Sequence, residues 1–382
     1  MTTVLKQDST IIGSNSIQIK VQKDDFLKAI TTVSGAISSK ATLPILNNIL
    51  IQSDGPDQIL LTGTDLELGI RTQCPATVSL QGSVTVPAKK LYEIVRELTP
   101  GEIEVTVAKN NAVNIKTNKS FFKIMGLEPD DFPKLPELTP EQSFELDQQV
   151  LKQCLALTSF AISRDETRYT LNGVLVILRN KTARFVATDG KRLASIEKNL
   201  NLSSDVMLEA IIPLKTVSEL IKALSDGEGK AKVVCAQNQI IFQLNKTTFV
   251  SRLIEGRFPN YEQVIPKDEK TTARVNRQEL LSAMKRVSLL TSQENQSVKL
   301  DFIKGRVLIS SRSPNLGEAK EEVQAEVTGD NLAIGFNPSY VIDVLKNVDV
   351  EEVLLSMTEP DKPGLIKSED GYQYVVMPMQ LS

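Results

Sequence analysis

Apolar residues recur along this chain at two alternating spacings. Phe26, Ile30, Val33 and Ile37 fall on one face of a helix; the pattern returns with Val150, Cys154, Leu157 and Ala161, and again with Leu280, Met284 and Val287. Asp24, Asp147 and Asn276 stand where these helices open, and a short side-chain oxygen there accepts from free backbone N–H groups. Glu279 adds a capping-box-like start to the third. A second stripe reads Leu91, Ile94, Val95 and Leu98, with counterparts Val217, Leu220, Ile221, Leu224 and Val341, Val344, Leu345, Val348. Between the helices, alternating and β-branched runs predict strands, as at 59–62, 103–107, 184–187 and 232–235.

The stripes recur because the chain repeats. Leu91, Val217 and Val341 lie 126 and 124 residues apart. The segment VPAKKLYEIV (86–95) returns as IPLKTVSELI (212–221) and, more loosely, as FNPSYVIDVL (336–345). Thr64-Asp65 returns as Thr188-Asp189, and Phe132-Pro133 as Phe258-Pro259. Each copy reads as two helices and about eight short strands, so the fold class is α+β: three tandem copies of one domain, with two helices packed on antiparallel sheets. Pro and charge cluster at 132–140 and 265–270, which divides the chain into a leader at 1–16 and domains at 17–140, 141–268 and 269–382. Head-to-tail contacts between such copies close into a ring or continue as an open array.

Composition narrows the chemistry. Histidine is absent, which removes Ser-His and Cys-His nucleophiles and His-ligated metals. Cys74, Cys154 and Cys235 are dispersed without a CxxC pair, which suits three buried thiols in a reducing cytoplasm rather than a disulfide framework or zinc site. No cofactor or metal is expected. No apolar run approaches the ~20 residues of a membrane-spanning helix, so no membrane partner is expected. The leader lacks a secretory pattern and reads as a loose segment. GEGKA at 227–231 lacks phosphate-loop spacing and reads as a helix-to-strand loop. Asp65 and Asp189 occupy equivalent points of two copies, which points to a shared turn rather than a catalytic pair, and Asp130-Asp131 reads as a solvated turn.

The net charge of −3 means that any nucleic-acid surface must segregate its positive charge. Arg96, Lys222 and Lys346 share one repeat position on the second helix. Lys89 matches Lys215, with Ser339 in the third copy; Lys28 matches Lys152, with Ser282 there and Lys285 and Arg286 nearby; Lys40 matches Arg164, with Glu294 in the third copy. A single helix Lys is ordinarily a solvated face, whereas cations repeated around a ring would track phosphates without reading sequence. Trp is absent and the other aromatics are scattered, which favours duplex tracking over base stacking. The chain ends in VVMPMQL (375–381), apolar where termini are ordinarily polar, so this tail must dock. Met-rich surfaces adapt to varied peptides.

Together these segments resemble the bacterial DNA polymerase III beta subunit family, the sliding clamps. The likeness is carried by TLPILNN (42–48), LTGTDLE (61–67), RYTLNG (168–173), ATDGKRLA (187–194), EGRFPNY (255–261) and YVVMPMQL (374–381), and runs from about residue 17 to the end. It implies a head-to-tail homodimer forming a six-domain ring around duplex DNA, with helices lining the hole and no catalytic activity. It also implies partners: the DNA polymerase III catalytic subunit, a separate ATP-driven clamp loader, and other polymerases and repair proteins that bind through short peptide motifs.

With the repeated cations, the resemblance implies DNA contacts at Lys28, Lys40, Lys89, Arg96, Lys152, Arg164, Arg168, Lys215, Lys222 and Lys346. It implies a dimer seam at Phe122 and Ile124 against Leu289 and Leu290. The implied partner-peptide pocket comprises Leu171, Thr188, Gly190, Arg192, Leu193, Pro259, Val264, Tyr340, Val375, Met377, Pro378, Met379 and Leu381. The first copy has TDLE where the second has TDGKR, so one pocket per chain is expected. Gln380 stands where the family often has a basic residue, and Ser382 extends the tail. Sequence arithmetic leaves two or three chains per ring open; the resemblance implies two. Two other readings stand beside this one. A peptide scaffold that never encircles DNA is opposed by the repeated Arg96, Lys222 and Lys346, and a carboxylate enzyme lacks a converging acid pair.

Overall fold

The computed structural model describes residues 16–38, 43–108, 110–136, 143–200, 206–236, 238–291, 297–368 and 371–381. Residues 1–15 of the leader, Lys40, Glu294 and Ser382 lie outside the described residues. The first copy runs β1 (Gln18–Gln22), α1 (Lys23–Ser34), β2 (Asn48–Ser53), β3 (Gln58–Thr64), β4 (Leu68–Pro75), β5 (Thr77–Leu80), β6 (Ser83–Pro87), α2 (Ala88–Glu97), β7 (Glu102–Val107), β8 (Ala112–Lys116) and β9 (Phe121–Met125). The second runs β10 (Ser143–Asp147), α3 (Gln148–Ser159), β11 (Gly173–Arg179), β12 (Thr182–Thr188), β13 (Arg192–Asn199), β14 (Leu208–Pro213), α4 (Leu214–Ala223), β15 (Lys230–Ala236), β16 (Gln239–Leu244) and β17 (Thr247–Arg252). The third runs β18 (Thr271–Asn276), α5 (Arg277–Ser288), β19 (Val298–Ile303), β20 (Arg306–Ser313), β21 (Gly317–Gly329), β22 (Leu332–Phe336), α6 (Pro338–Asn347), β23 (Glu352–Met357), β24 (Gly364–Ser368) and β25 (Tyr372–Val376).

Each helix buries its apolar stripe, as Phe26, Ile30 and Val33 do on α1 and Val341, Val344 and Leu345 on α6. Asp147 and Asn276 cap α3 and α5 as expected, each accepting from two backbone N–H groups. Asp24 does not cap α1. The cap is Gln22, two residues earlier, so Asp24 and Asp25 lie in the first turn of α1, where negative charge complements the helix dipole. Ile37 lies beyond the end of α1. Cys74 and Cys154 are buried, and burial pushes both thiols up to about 12. Cys235 is only half-buried, next to the end of β15, contrary to the expectation of three buried thiols.

A shared clip joins the two helices of each copy. The first residue of the first helix donates its backbone N–H to the loop after the second helix: Lys23 to Gly101 O at 2.9 Å, Gln148 to Gly229 O at 3.0 Å and Arg277 to Glu351 O at 2.9 Å. Its side chain serves carbonyls of the segment that ends or follows the second helix. Lys23 Nζ donates to Leu98 O, Gln148 Nε2 to Lys230 O at 3.0 Å, and Arg277 Nε and Nη1 to Val350 O and Leu345 O at 2.8 and 3.0 Å. In the first and third copies these include carbonyls where a helix ends, Leu98 O and Leu345 O, which lack a partner within the helix; in the second the acceptor is the first residue of β15.

By packing, the chain forms two units: Met1–Ser143 with Ala231–Arg252, and Phe144–Lys230 with Leu253–Ser382. The first unit holds the five-stranded sheet β5-β1-β7-β8-β9 and a second sheet ordered β15-β16-β17-β4-β3-β2-β6. The last strands of the second copy thus complete a sheet begun by the first, because β17 pairs antiparallel with β4. Leu135 packs on Val234, Ile241 and Val250 and fills the space above Gly69, where a Cβ would lie 2.3 Å from its Cδ2. The second unit holds one 12-stranded sheet, β14-β11-β12-β13-β25-β24-β23-β18-β21-β20-β19-β22. Here β25, from the chain's end, pairs with β13, setting Leu193 opposite Val375.

Candidate partner-binding site and basic helix faces

The turn between β12 and β13 is built by its own side chains. Asp189 Oδ1 accepts from Lys191 N and Arg192 N at 2.9 and 3.0 Å. Thr188 Oγ1 accepts from Gly190 N at 3.0 Å and donates to Arg192 O at 2.6 Å. Gly190 has φ +86°, and a Cβ there would lie 2.7 Å from Arg168 Nη1, so glycine avoids both the left-handed strain and a displacement of Arg168. Arg168 Nη1 donates to Asp189 O at 3.2 Å, which places this expected DNA ligand against the turn.

Arg192 ties three elements to that turn. Its Nε donates to Asp189 Oδ2 at 3.0 Å, Nη1 to Asp343 Oδ2 on α6 at 2.6 Å, and Nη2 to Phe160 O at the end of α3 at 2.7 Å. The guanidinium carbon lies 4.7 Å from the Tyr340 ring centroid and 5.7 Å from that of Phe160. Burial works against its charge, but Tyr374, Asp343 and Asp189 favour it, and the net direction of its pKa is up. Tyr374 OH donates to Tyr340 O at 2.9 Å, and its ring packs on Phe160. Phe160, Asp189, Asp343 and Tyr374 therefore belong to the site although sequence reasoning did not assign them. Charge partners for an Arg were the available signal, but Asp343 lies 151 residues away.

Around this knot, Leu171, Leu193 and Val375 share a buried cluster with Phe258 and Tyr261. Pro259 follows Phe258 on the surface, and Val264, Met377 and Leu381 are exposed. The tail is docked. Met377 N donates to Lys191 O at 2.9 Å and Met379 N to Gly335 O at 2.8 Å, while Leu381 lies over Gly335. Tyr169 OH donates to Glu255 O, fixing the segment before Phe258. The exposed apolar side chains of the tail thus stand on segments held by backbone hydrogen bonds, and Val375 just before them lies in the buried cluster. A cavity of about 380 Å³, lined by Arg184, Ser195, Glu197, Tyr261, Glu262, Ile265, Lys267, Gly371 and Gln373, includes none of the expected pocket residues.

The expected DNA ligands sit largely on helices. Arg96, Lys222 and Lys346 are exposed in the last turns of α2, α4 and α6. Arg96 pairs with Glu97 at 3.0 Å and Lys222 with Glu219 at 2.7 Å. Exposed pairs of this kind are weak, so a phosphate can compete for either cation. Lys28, Lys89 and Arg164 are exposed, Lys215 is half-buried, and Lys152 pairs with Asp226 at 2.7 Å. In the third copy Arg286 is held by a two-pronged contact to Glu321 at 2.7 and 2.9 Å.

Of the expected seam residues, Phe122 is 38% and Leu289 76% exposed, while Ile124 and Leu290 are half-buried. Phe122 and Ile124 lie on β9, an edge strand of the first unit. In the second unit, residues 317–324 of β21 pair with β20, and β18 joins only from 325, leaving an open edge among the described residues. Among the described residues no group of His, Cys, Asp and Glu could hold a metal ion, and no helix is long and apolar enough to cross a membrane.

Three tandem copies of a helix pair on antiparallel sheets, each with an exposed cation at one position of its second helix, define a clamp-type repeat scaffold. Family models of the N-terminal, central and C-terminal domains of the DNA polymerase III beta subunit match residues 17–136, 145–260 and 262–380. The beta sliding clamp of Chlamydia pneumoniae is 33% identical over 361 residues, covering 94% of this chain and 98% of that protein. That of Pseudomonas aeruginosa is 34% identical over 365 residues, covering 94% and 99%. The crystal structure of the DNA polymerase sliding clamp from Bacillus subtilis superposes with a TM-score of 0.92 at 30% identity, covering 96% of this chain and all of that one. The chain belongs to the DNA polymerase III beta subunit family, the DNA sliding clamps, non-catalytic processivity subunits of DNA replication.

Proposed function

We propose that the chain pairs head to tail with a second copy, closes into a ring around duplex DNA in the cytoplasm, and recruits its partners through one peptide pocket per chain. The docked apolar tail carries this reading, because it ties Met377 to Lys191 of the β12–β13 turn and seats Met379 and Leu381 at Gly335. The domains at 17–140, 141–268 and 269–382 then supply six units per ring. Lys28, Lys89, Arg96, Lys152, Arg164, Lys215, Lys222 and Lys346 face phosphates, with Lys40 as a further contact and Arg168 sharing its charge with the pocket turn. The β9 edge bearing Phe122 and Ile124 meets the partner copy's open β21 edge beside Leu289 and Leu290; two unpaired edges with apolar flanks are complementary. The DNA polymerase III catalytic subunit, the clamp loader, and other polymerases and repair proteins compete for the pocket through short apolar motifs.

Deletion of residues 377–381 tests the pocket. Binding of peptides from the replicative polymerase should be lost, while sedimentation still reports the dimer. Unchanged peptide affinity would contradict the assignment.

A further inference from the structure

Arg192 is a pocket residue whose charge is spent on its own fold. Its side chain is 11% exposed, and Asp189, Asp343 and the Phe160 carbonyl take one donor from each of its nitrogens. What it presents to a ligand is indirect: the Tyr340 ring stacked on it, and the turn carrying Gly190 and Lys191. The closest of its three contacts, 2.6 Å, is to Asp343.

Asp343 has counterparts in the other copies, and they act differently. Glu93 pairs with Lys90 at 2.8 Å and Glu219 with Lys222 at 2.7 Å, each on its own helix. The first copy has Leu68 at the position of Arg192. The link from the sixth helix to the strand beneath the turn thus occurs where the pocket is. We propose that Asp343 is a positioning residue of the partner-peptide pocket: by holding Arg192 it keeps the Tyr340 wall and the 188–192 turn in the binding-competent arrangement before a ligand arrives. This rests on the pocket reading above.

Preorganisation has a kinetic signature. If only a fraction of molecules is competent, apparent affinity falls by that fraction, and the loss appears in association rather than dissociation. The test uses the full chain and a fluorescein-labelled peptide from the replicative polymerase, followed by stopped-flow anisotropy. Asp343→Asn should slow association about tenfold and leave dissociation within about twofold. Asp343→Glu, which keeps the charge, should recover most of the association rate. Met379→Ala, a contact variant, should speed dissociation instead. In an Arg192→Ala background, Asp343→Asn should add no further slowing. Wild-type association in Asp343→Asn overturns the proposal, whatever its thermal midpoint. So does faster dissociation like that of Met379→Ala, which would make Asp343 a direct contact. Peptide binding that survives deletion of 377–381 sinks the pocket reading itself. Loss on deletion with unaltered Asp343→Asn kinetics sinks only the positioning role.

Discussion

The turn after β3 and the turn after β12 share one construction and serve different ends. In the first, Asp65 Oδ1 accepts from Glu67 N and Leu68 N, and Thr64 Oγ1 accepts from Leu66 N. In the second, Asp189 and Thr188 make the same three bonds. The residues that follow separate them. The first turn forces Leu66 into the left-handed region at φ +77° and leaves its side chain 47% exposed. The second has Gly190 there, with Arg168 lying across it. Leu68 is buried where Arg192 forms its knot, and Gly69 admits Leu135 where Leu193 joins the cluster beneath the docked tail. A turn shared by two copies is therefore followed by a position covered by Leu135 in one and, in the other, by the Arg192 knot and the docked tail, the arrangement proposed above to take a partner.

Grafting the first turn onto the second should break this difference most severely. Gly190→Leu with Lys191→Glu and Arg192→Leu should abolish peptide binding in an anisotropy titration. It should also destabilise the fold by about 3 kcal/mol in a denaturant titration, since two carboxylates lose their shared cation. The aspartates should come next. Asp189→Ala removes the turn bonds and a partner of Arg192, at about 2–3 kcal/mol, whereas Asp65→Ala, in the copy that has Leu68 in place of Arg192, removes the corresponding turn bonds, at about 1 kcal/mol. Equal losses would mean that the Asp189–Arg192 contact adds nothing. Smaller still, Gly190→Ala should cost about 1–2 kcal/mol, while Leu66→Gly should gain up to about 1 kcal/mol by relieving the left-handed backbone and leave peptide affinity unchanged.

A further test treats the two units alike, and near neutral pH its effect vanishes. Burial raises Cys74 in the first and Cys154 in the second from 9.0 to about 12. Between those values the unfolded chain has lost protons that the native chain keeps, so stability should fall as pH rises from about 9. Cys74→Ala with Cys154→Ala should flatten that slope in thermal melts.

Much of the fold was legible in the sequence because its signals are local. Helical stripes such as Leu91, Ile94 and Val95 carry the repeat, and Asp147 and Asn276 mark helix starts correctly. Asp24 misled because Lys23 already has a use as the clip to Leu98 O, which draws the helix start forward. The pairing of β17 with β4 and of β25 with β13 was not legible, since it depends on strands far apart in sequence. The same holds within the site. The turn and the apolar tail could be read from the residues and the family likeness, but Phe160, Asp343 and Tyr374 enter only through three-dimensional packing on Arg192 and Tyr340.

The central claim is that the likeness among the copies serves DNA: a closed scaffold that tracks phosphates and stays on its track by topology. The direct measurement loads the chain onto nicked circular duplex with a clamp loader and ATP, removes free protein by gel filtration, and then linearises half of the sample. The account predicts retention on the circle and loss from the linear form as rings slide off the ends. Equal retention on both would contradict it.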